Sequence, residues 1–344
     1  MRIVFFAHPA FLGHQSMPRF AQMLADGMAN RGHEIEIWAP EPFFASLPAP
    51  LSLRKWLGYL DQYVVFSNKA AKRLKHYPED TLFVFTDQAL GPWVPLVAVR
   101  PHVIHCHDFL AQQSAQGAIA ENRTSWTGRL YQSYIHKGYS KGKHFISVSK
   151  KTKEDLHTFL SSPPRFSKVI YNGLNQEFHI QDQLEARKGF SNLIKIDLTL
   201  GCILHVGGNH FYKNRVGVIE IYNAWRSNGG TAIPLLLIGE RPAISLATTR
   251  TQSAYANDIH FLSGLEDKTV RLAYAGATVL LFPSLAEGFG WPIAEAMASG
   301  CPVITTGEAP MTEVAGEAAF FIERKPHNLS EASAWANKAA VVLD

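Results

Sequence analysis

Cysteine is scarce in this chain, long apolar runs are missing, and so is a paired-carboxylate metal motif. Each absence removes a class of function. The three cysteines, Cys106, Cys202 and Cys301, are scattered through 344 residues with no C-x-x-C spacing. That pattern argues against a zinc site or a disulfide framework, and for a reducing, cytoplasmic setting. No window approaches the roughly 20 apolar residues of a membrane-spanning helix. The opening run Met1-Arg-Ile-Val-Phe-Phe-Ala-His-Pro9 is too short for a secretory leader and reads as a first β-strand. No G-x-G-x-x-G follows the first strand of either half, which weighs against a dinucleotide-dependent dehydrogenase. There is no D-x-D, so a divalent cation between diphosphate oxygens would lack its usual carboxylate pair.

What is present describes a globular chain of two ordinary domains, with 47% hydrophobic and 18% charged residues. Charge is uneven. Residues 1–165 hold 19 Lys and Arg against 12 Asp and Glu, a net of +7, whereas residues 166–344 hold 14 against 17, a net of −3. A basic first half suggests an acidic partner such as a membrane surface or a phospholipid-linked acceptor. A solvated basic face accounts for it as well. Arg54-Lys-Trp-Leu-Gly-Tyr-Leu60, and the helix face formed by Lys69, Lys72, Arg73 and His76, could lie along an interface or simply face water.

Hydrophobic periodicity alternates between strands and helices in both halves. In the first, strands are expected at Ile3–Ala7, Glu34–Ala39, Leu82–Thr86, Val103–Cys106, His144–Val148 and Val169–Tyr171. Helices are expected at Pro18–Arg31, with Phe20, Met23, Leu24, Gly27 and Met28 on one face, and at Lys151–Leu160. The polar stretch from Glu177 to Leu198 reads as a link. A second series then runs Cys202–Val206, helix Val216–Ser227, Leu235–Ile238, Ile259–Leu262, helix Asp267–Ala275 and Thr278–Phe282. Such alternation predicts α/β architecture with two parallel, doubly wound sheets, domains 1–180 and 181–344, and ligands at the C-terminal strand ends.

The most informative segment is Glu287-Gly-Phe-Gly-Trp-Pro-Ile-Ala-Glu295, which follows a buried-strand pattern and opens a helix. Pro292 suits a first helical turn. The amides of Gly288 to Gly290 and the positive helix end favour an anion, most naturally a phosphate. Glu287 and Glu295 are poor phosphate partners but good acceptors for sugar hydroxyls. Together these parts describe a nucleotide-sugar site.

The segment resembles the E-x7-E motif of the GT4 family of retaining glycosyltransferases, and the match extends through E-G-F-G-x-P-x-x-E-A-M-A-x-G-x-P-V-I. The resemblance implies the GT-B fold, with two Rossmann-like domains facing a central cleft. The first domain would take the acceptor and the second the nucleotide-sugar donor. It implies that Glu287, Gly288, Phe289 and Gly290 meet the sugar and phosphate, and that Glu295 meets the ribose. Lys213, in Val206-Gly-Gly-Asn-His-Phe-Tyr-Lys-Asn-Arg215, matches the family's diphosphate lysine. Asn209 stands where an arginine is common, and Arg215, two positions further along a helix, is expected to point elsewhere. His107, in His105-Cys-His107-Asp108, would approach the sugar from the first domain. His105, taken to lie on the opposite strand face, reads as a core residue. Gly13, before His14, matches a glycine that lets backbone approach the donor or acceptor. Leu265 lies where the base is held, largely by backbone groups. The family usually continues with a helix returning to the first domain, so the resemblance implies a shortened C-terminus here.

The expectation is therefore a metal-independent, cofactor-free hexosyltransferase using a UDP-, GDP- or ADP-linked sugar. Its acceptor would be a glycan or a lipid-linked glycan. The protein would be cytoplasmic, with peripheral membrane contact through the basic first domain, and with no nucleic-acid partner. A nucleotide-sugar epimerase and a non-catalytic nucleotide-sugar-binding protein are the alternatives.

Overall fold

Short apolar runs become parallel strands in both halves of the chain. The structure, a computed structural model, describes residues 1–13, 16–174 and 177–344. It divides into two units, Met1–Tyr171 and Asn172–Asp344. The first unit runs β1 (Arg2–Phe6), α1 (Ser16–Ala29), β2 (Glu34–Trp38), α2 (Leu51–Leu60), α3 (Ser67–Leu74), β3 (Leu82–Phe85) and β4 (His102–Cys106). It continues with α4 (Leu110–Ala115), α5 (Trp126–Tyr139), β5 (His144–Ser147), α6 (Lys150–Phe159) and β6 (Phe166–Val169). Its six strands are parallel in the order β2-β1-β3-β4-β5-β6. A sheet covered on both faces needs apolar residues at successive positions, which is why Ile3-Val4-Phe5-Phe6 carries no alternation. Phe6 stacks on Phe85 with ring centroids 4.7 Å apart and meets Trp38 edge-on at 5.5 Å. On α1 the buried residues are Phe20, Ala21 and Ala25, while the expected Met23 is exposed. The small alanines let this helix approach the sheet closely.

A π-helical segment, Asp61–Phe66, joins α2 to α3. The buried Asp61 carboxylate accepts the amides of Phe43, Phe44 and Ala45, fixing the loop before α2.

The second unit runs α7 (Gln183–Ile194), β7 (Ile203–Val206), α8 (Arg215–Ser227), β8 (Leu235–Ile238), α9 (Ile244–Thr251), β9 (Ile259–Leu262), α10 (Asp267–Gly276) and β10 (Val279–Phe282). After these come α11 (Trp291–Ala298), β11 (Val303–Thr306), α12 (Met311–Ala315), β12 (Phe320–Ile322) and α13 (Leu329–Ala340). The parallel sheet order is β12-β11-β10-β7-β8-β9. Most expected strands and helices are present within a residue or two. Three are not. The polar link contains α7, whose narrow inward face is Ala186 and Phe190 and whose N-terminus is capped by Asp182 accepting the Glu185 amide at 2.9 Å. The last strand of the first unit lies at Phe166–Val169, ahead of Val169–Tyr171. The edge strand β12 has no counterpart in the expected series.

The boundary also falls earlier than residue 180. Phe178 packs edge-on against Tyr274 at 5.9 Å, and Glu177 pairs with Arg271, so these residues belong with the second unit. All three cysteines are buried thiols, Cys106 in the first unit and Cys202 and Cys301 in the second.

Candidate active site

In the second unit, two loops after neighbouring strands meet over an ion pair. The loop after β7 makes a single 3-10 turn, Phe211–Lys213, and stops at Asn214, which takes a left-handed conformation with φ 49°. Asn214 then works twice. Its Nδ2 donates to Pro283 O at 2.9 Å, and its Oδ1 accepts the Gly217 amide at 3.2 Å, capping α8. The Leu285 amide donates to Tyr212 O at 2.7 Å. With both loops pinned, Lys213 Nζ reaches the two oxygens of Glu287 at 2.7 and 2.9 Å. Only 14% of the Lys213 side chain and 7% of the Glu287 side chain are exposed. The ammonium also lies 5.1 Å from the Phe282 ring centre. Shielded on these sides, the pair interacts more strongly than one in open water.

Glu287 leads directly into Gly288, Phe289 and Gly290. Gly290 has φ 102° and forms the N-cap of α11, a conformation that L side chains rarely adopt. Phe289 is buried and meets Trp291 edge-on. Pro292 lies in the first turn, as its missing N–H favours. One turn further on, Glu295 accepts a hydrogen bond from Tyr274 at 2.9 Å. Burial, and then the Glu295 charge, push the Tyr274 phenol well above its ordinary range, so it stays a donor.

Asn209 is not a passive substitute for arginine. Its Nδ2 donates to Arg241 O at 2.7 Å, and its Oδ1 accepts from Arg215 Nη1 at 2.8 Å. This corrects the expectation that Arg215 points elsewhere. Arg215 is the first residue of α8, and helical side chains lean toward the N-terminus, which brings its guanidinium back to Asn209. Arg215 Nη1 also donates to Glu240 O at 3.1 Å, while Nε and Nη2 find no partner among the described residues. Leu265 follows β9, and its side chain packs on the unit's apolar core.

His205, at the end of β7, gave no signal in the sequence. Its Nδ1–H donates to Leu281 O at 2.9 Å, and burial pushes its pKa down to about 3. A Cβ at Gly207 would come within 3.1 Å of His205 Nε2 and 3.4 Å of the Lys213 side chain. Gly207 therefore permits close packing beside the ion pair.

In the first unit, the ends of β1, β3 and β4 surround a cavity of about 300 Å³ lined by His8, Gln62, Tyr63, Asp87, His107 and Tyr131, among others. Here His8 Nε2–H donates to Asp87 Oδ2 at 2.9 Å, and the Ala89 amide donates to Asp87 Oδ1 at 2.9 Å. Burial acts to raise the Asp87 pKa, but the bond and charge of His8, the nearby His107 imidazole and the Ala89 amide outweigh it and the net shift is downward. Neither His8 nor Asp87 was marked by any local motif.

His107 does line this cavity, but its Nε2–H is committed to Thr86 O at 2.9 Å and its amide to Gln88 Oε1 at 2.8 Å. Burial lowers its pKa and so favours the neutral ring, in which Nδ1 is the acceptor nitrogen. His105 is also buried, with a pKa of about 3. Phe20 meets both rings edge-on, at 5.3 Å for His105 and 4.5 Å for His107. The two histidines therefore share a strand face, as residues two apart must, contrary to the opposite faces expected. Gly13, φ 69°, ends a 3-10 turn and is bonded to Ala10 O, with open space where a Cβ would stand. Its neighbour His14 lies outside the described residues. No group of three or more His, Cys, Asp or Glu among the described residues is placed to hold a metal ion.

Residues 17–178 match the family model described as glycosyltransferase family 4, and residues 202–340 match that described as glycosyl transferases group 1. Over 298 residues the chain is 43% identical to an MMP alpha-(1->4)-mannosyltransferase of Mycolicibacterium hassiacum, an alignment covering 80% of this chain and 68% of that one. The chain belongs to glycosyltransferase family 4. Solved structures agree on the fold of this glycosyltransferase. HepE of Anabaena, crystallised with UDP-glucose, superimposes with a TM-score of 0.67 at 17% identity, covering 99% of this chain and 94% of HepE. WaaG, a glycosyltransferase involved in lipopolysaccharide biosynthesis, gives 0.69 at 16% identity, covering 99% and 90%. The two six-stranded parallel sheets are those of the GT-B fold.

Proposed function

We propose that this glycosyltransferase moves a hexose, mannose or glucose, from a nucleotide diphosphate to an acceptor hydroxyl, with retention at the anomeric carbon and without a metal ion. The observation that carries the reading is the shielded Lys213–Glu287 pair set immediately before Gly288–Gly290 and the start of α11. Lys213 and the first-turn amides of α11 take the diphosphate charge that grows as the anomeric C–O bond breaks. Glu287 reads sugar hydroxyls, and Glu295, oriented by Tyr274, reads the ribose. The acceptor oxygen attacks the face that the diphosphate leaves, and its proton passes to the departing phosphate oxygen. Glu287, held by Lys213, is assigned no nucleophilic role. The mannosyltransferase relative and the UDP-glucose complex of HepE support the donor class.

The first unit holds the acceptor in this reading, a glycan or lipid-linked glycan, with His107 in the cavity wall. Polysaccharide or glycolipid assembly at the cytoplasmic membrane face is the setting proposed.

Thermal unfolding with UDP, GDP and ADP, on the native protein and Glu295→Ala, tests the donor site. A nucleotide at 100 times its Kd stabilises by about 2.7 kcal/mol. One nucleotide is expected to raise the melting temperature in the native protein and to do so far less in the variant. No shift with any of the three at millimolar concentration would sink the reading. Once the donor is known, the anomeric configuration of the product by NMR, with and without EDTA, tests retention and metal independence.

A further inference from the structure

We infer that α2 and α5 of the first unit form a docking face for an anionic lipid bilayer. This gives the proposed membrane setting a specific surface, and it stands independently of the donor site. Leu53, Trp56 and Leu60 on α2, and Val64 on the π-helical segment, recur every three or four residues and are all exposed. Trp126, Leu130 and Tyr134 recur every fourth residue on α5 and are likewise exposed, Trp126 to 72%. Each set makes one stripe along its helix.

The stripes join. Tyr59 stacks on Tyr131 with centroids 5.1 Å apart, and Tyr63 meets Tyr134 edge-on at 5.5 Å. The Tyr63 and Tyr131 hydroxyls are hydrogen-bonded at 2.6 Å. Seven large apolar or aromatic side chains thus share one outward patch, more than scattered surface residues explain.

Charge selects the occupant. Residues 51–66 and 126–139 contain a single acid, Asp61, and it is buried on three backbone amides. Arg54, Lys55, Arg129 and Lys137 are exposed along the same two helices. Lys137, Lys141 and Lys143 also rim a groove of about 580 Å³ whose apolar lining includes Pro92, Pro95 and the 94% exposed Val99. An apolar centre with tryptophans and a basic rim complements acyl chains below and lipid phosphates around them. The basic run on α3 is less suited to this than its sequence suggested. Lys69 pairs with Glu41 at 2.7 Å, and Arg73 pairs with Glu36 at 2.9 Å while stacking on Trp38.

Flotation with vesicles of phosphatidylcholine, alone and mixed with phosphatidylglycerol, tests this. Binding is expected only with phosphatidylglycerol present, to weaken with salt, and to shift tryptophan emission to the blue. Trp56→Ser with Trp126→Ser is expected to lower partitioning at least about tenfold. Lys137→Gln, Lys141→Gln and Lys143→Gln are expected to lower it about fivefold each. All five positions are exposed, and circular dichroism and melting temperature confirm folding of each variant. Absence of binding to both vesicle types, or binding that both variant sets leave unchanged, overturns the inference. So does a concentration-dependent dimer in sedimentation that the tryptophan variant abolishes, since the patch is then covered by a second copy. Nucleotide-induced melting shifts, measured on the same samples, separate failure of this surface from failure of the donor site.

Discussion

The two units each set a carboxylate against a nitrogen base at the C-terminal ends of their strands, but they build the pair differently. In the second unit Glu287 belongs to a glycine loop that opens a proline-started helix, and Lys213 to a turn clamped by Asn214. In the first, His8 and Asp87 come from loops that carry no such signature. The second pair is an ammonium gripping both oxygens of a carboxylate. The first is a single imidazole bond to a carboxylate whose other oxygen is held by a backbone amide. The ammonium–carboxylate pair of the second unit is expected to be the more costly to break, because removing either member strands a desolvated ion.

Breaking the pairs in turn is the sharpest test of that difference. Lys213→Met is expected to lose about 3–5 kcal/mol of stability, because Glu287 stays behind in a shielded site. Adding Glu287→Leu should recover part of the loss. Asp87→Asn, which keeps shape and leaves His8 a weaker acceptor, is expected to cost only about 1–3 kcal/mol. Urea unfolding measures all three, and equal losses for the two single variants would erase the contrast between units.

A second effect should be shared. His105 in the first unit and His205 in the second are held neutral by burial, with pKa values of about 3. Their folded values lie below the ordinary 6.5, so the unfolded chain binds protons that the native state refuses. The contribution is complete above about pH 6.5 and falls by about 1.4 kcal/mol per pH unit for each histidine down to about pH 3. His105→Gln and His205→Gln should each flatten the dependence of stability on pH between 6 and 4. An unchanged slope in both would refute it. The smallest effect is expected from Tyr274→Phe, about 1 kcal/mol, with weaker nucleotide binding because Glu295 loses its orienting donor. An unaltered nucleotide Kd would show that Glu295 needs no such support.

How much could be read in advance follows the same division. The strands were legible because a sheet covered on both faces demands short apolar runs, and Gly290 and Pro292 announced the start of α11 through backbone chemistry alone. The helix α7 was hidden because only Ala186 and Phe190 face inward, so its composition reads as a linker. Edge strand β12 is three residues long and largely exposed, too little for a period to show. Counting positions along a helix misplaces Arg215, because its side chain leans back toward the N-terminus and reaches Asn209. His8 and Asp87 were missed for a different reason: they lie 79 positions apart and only the order of β1 and β3 in the sheet makes them neighbours.

The buried cysteines give each unit its own clock. Cys106 alone belongs to the first unit, while Cys202 and Cys301 belong to the second, and none forms a disulfide. Burial raises all three thiols, Cys202 and Cys301 to about 12, so the native protein presents almost no thiolate to a labelling reagent. Modification then waits for local opening, and its rate at each cysteine, resolved by mass spectrometry of peptides, reports how often that unit breathes. A nucleotide that tightens only the second unit would slow Cys202 and Cys301 and leave Cys106 at its original pace.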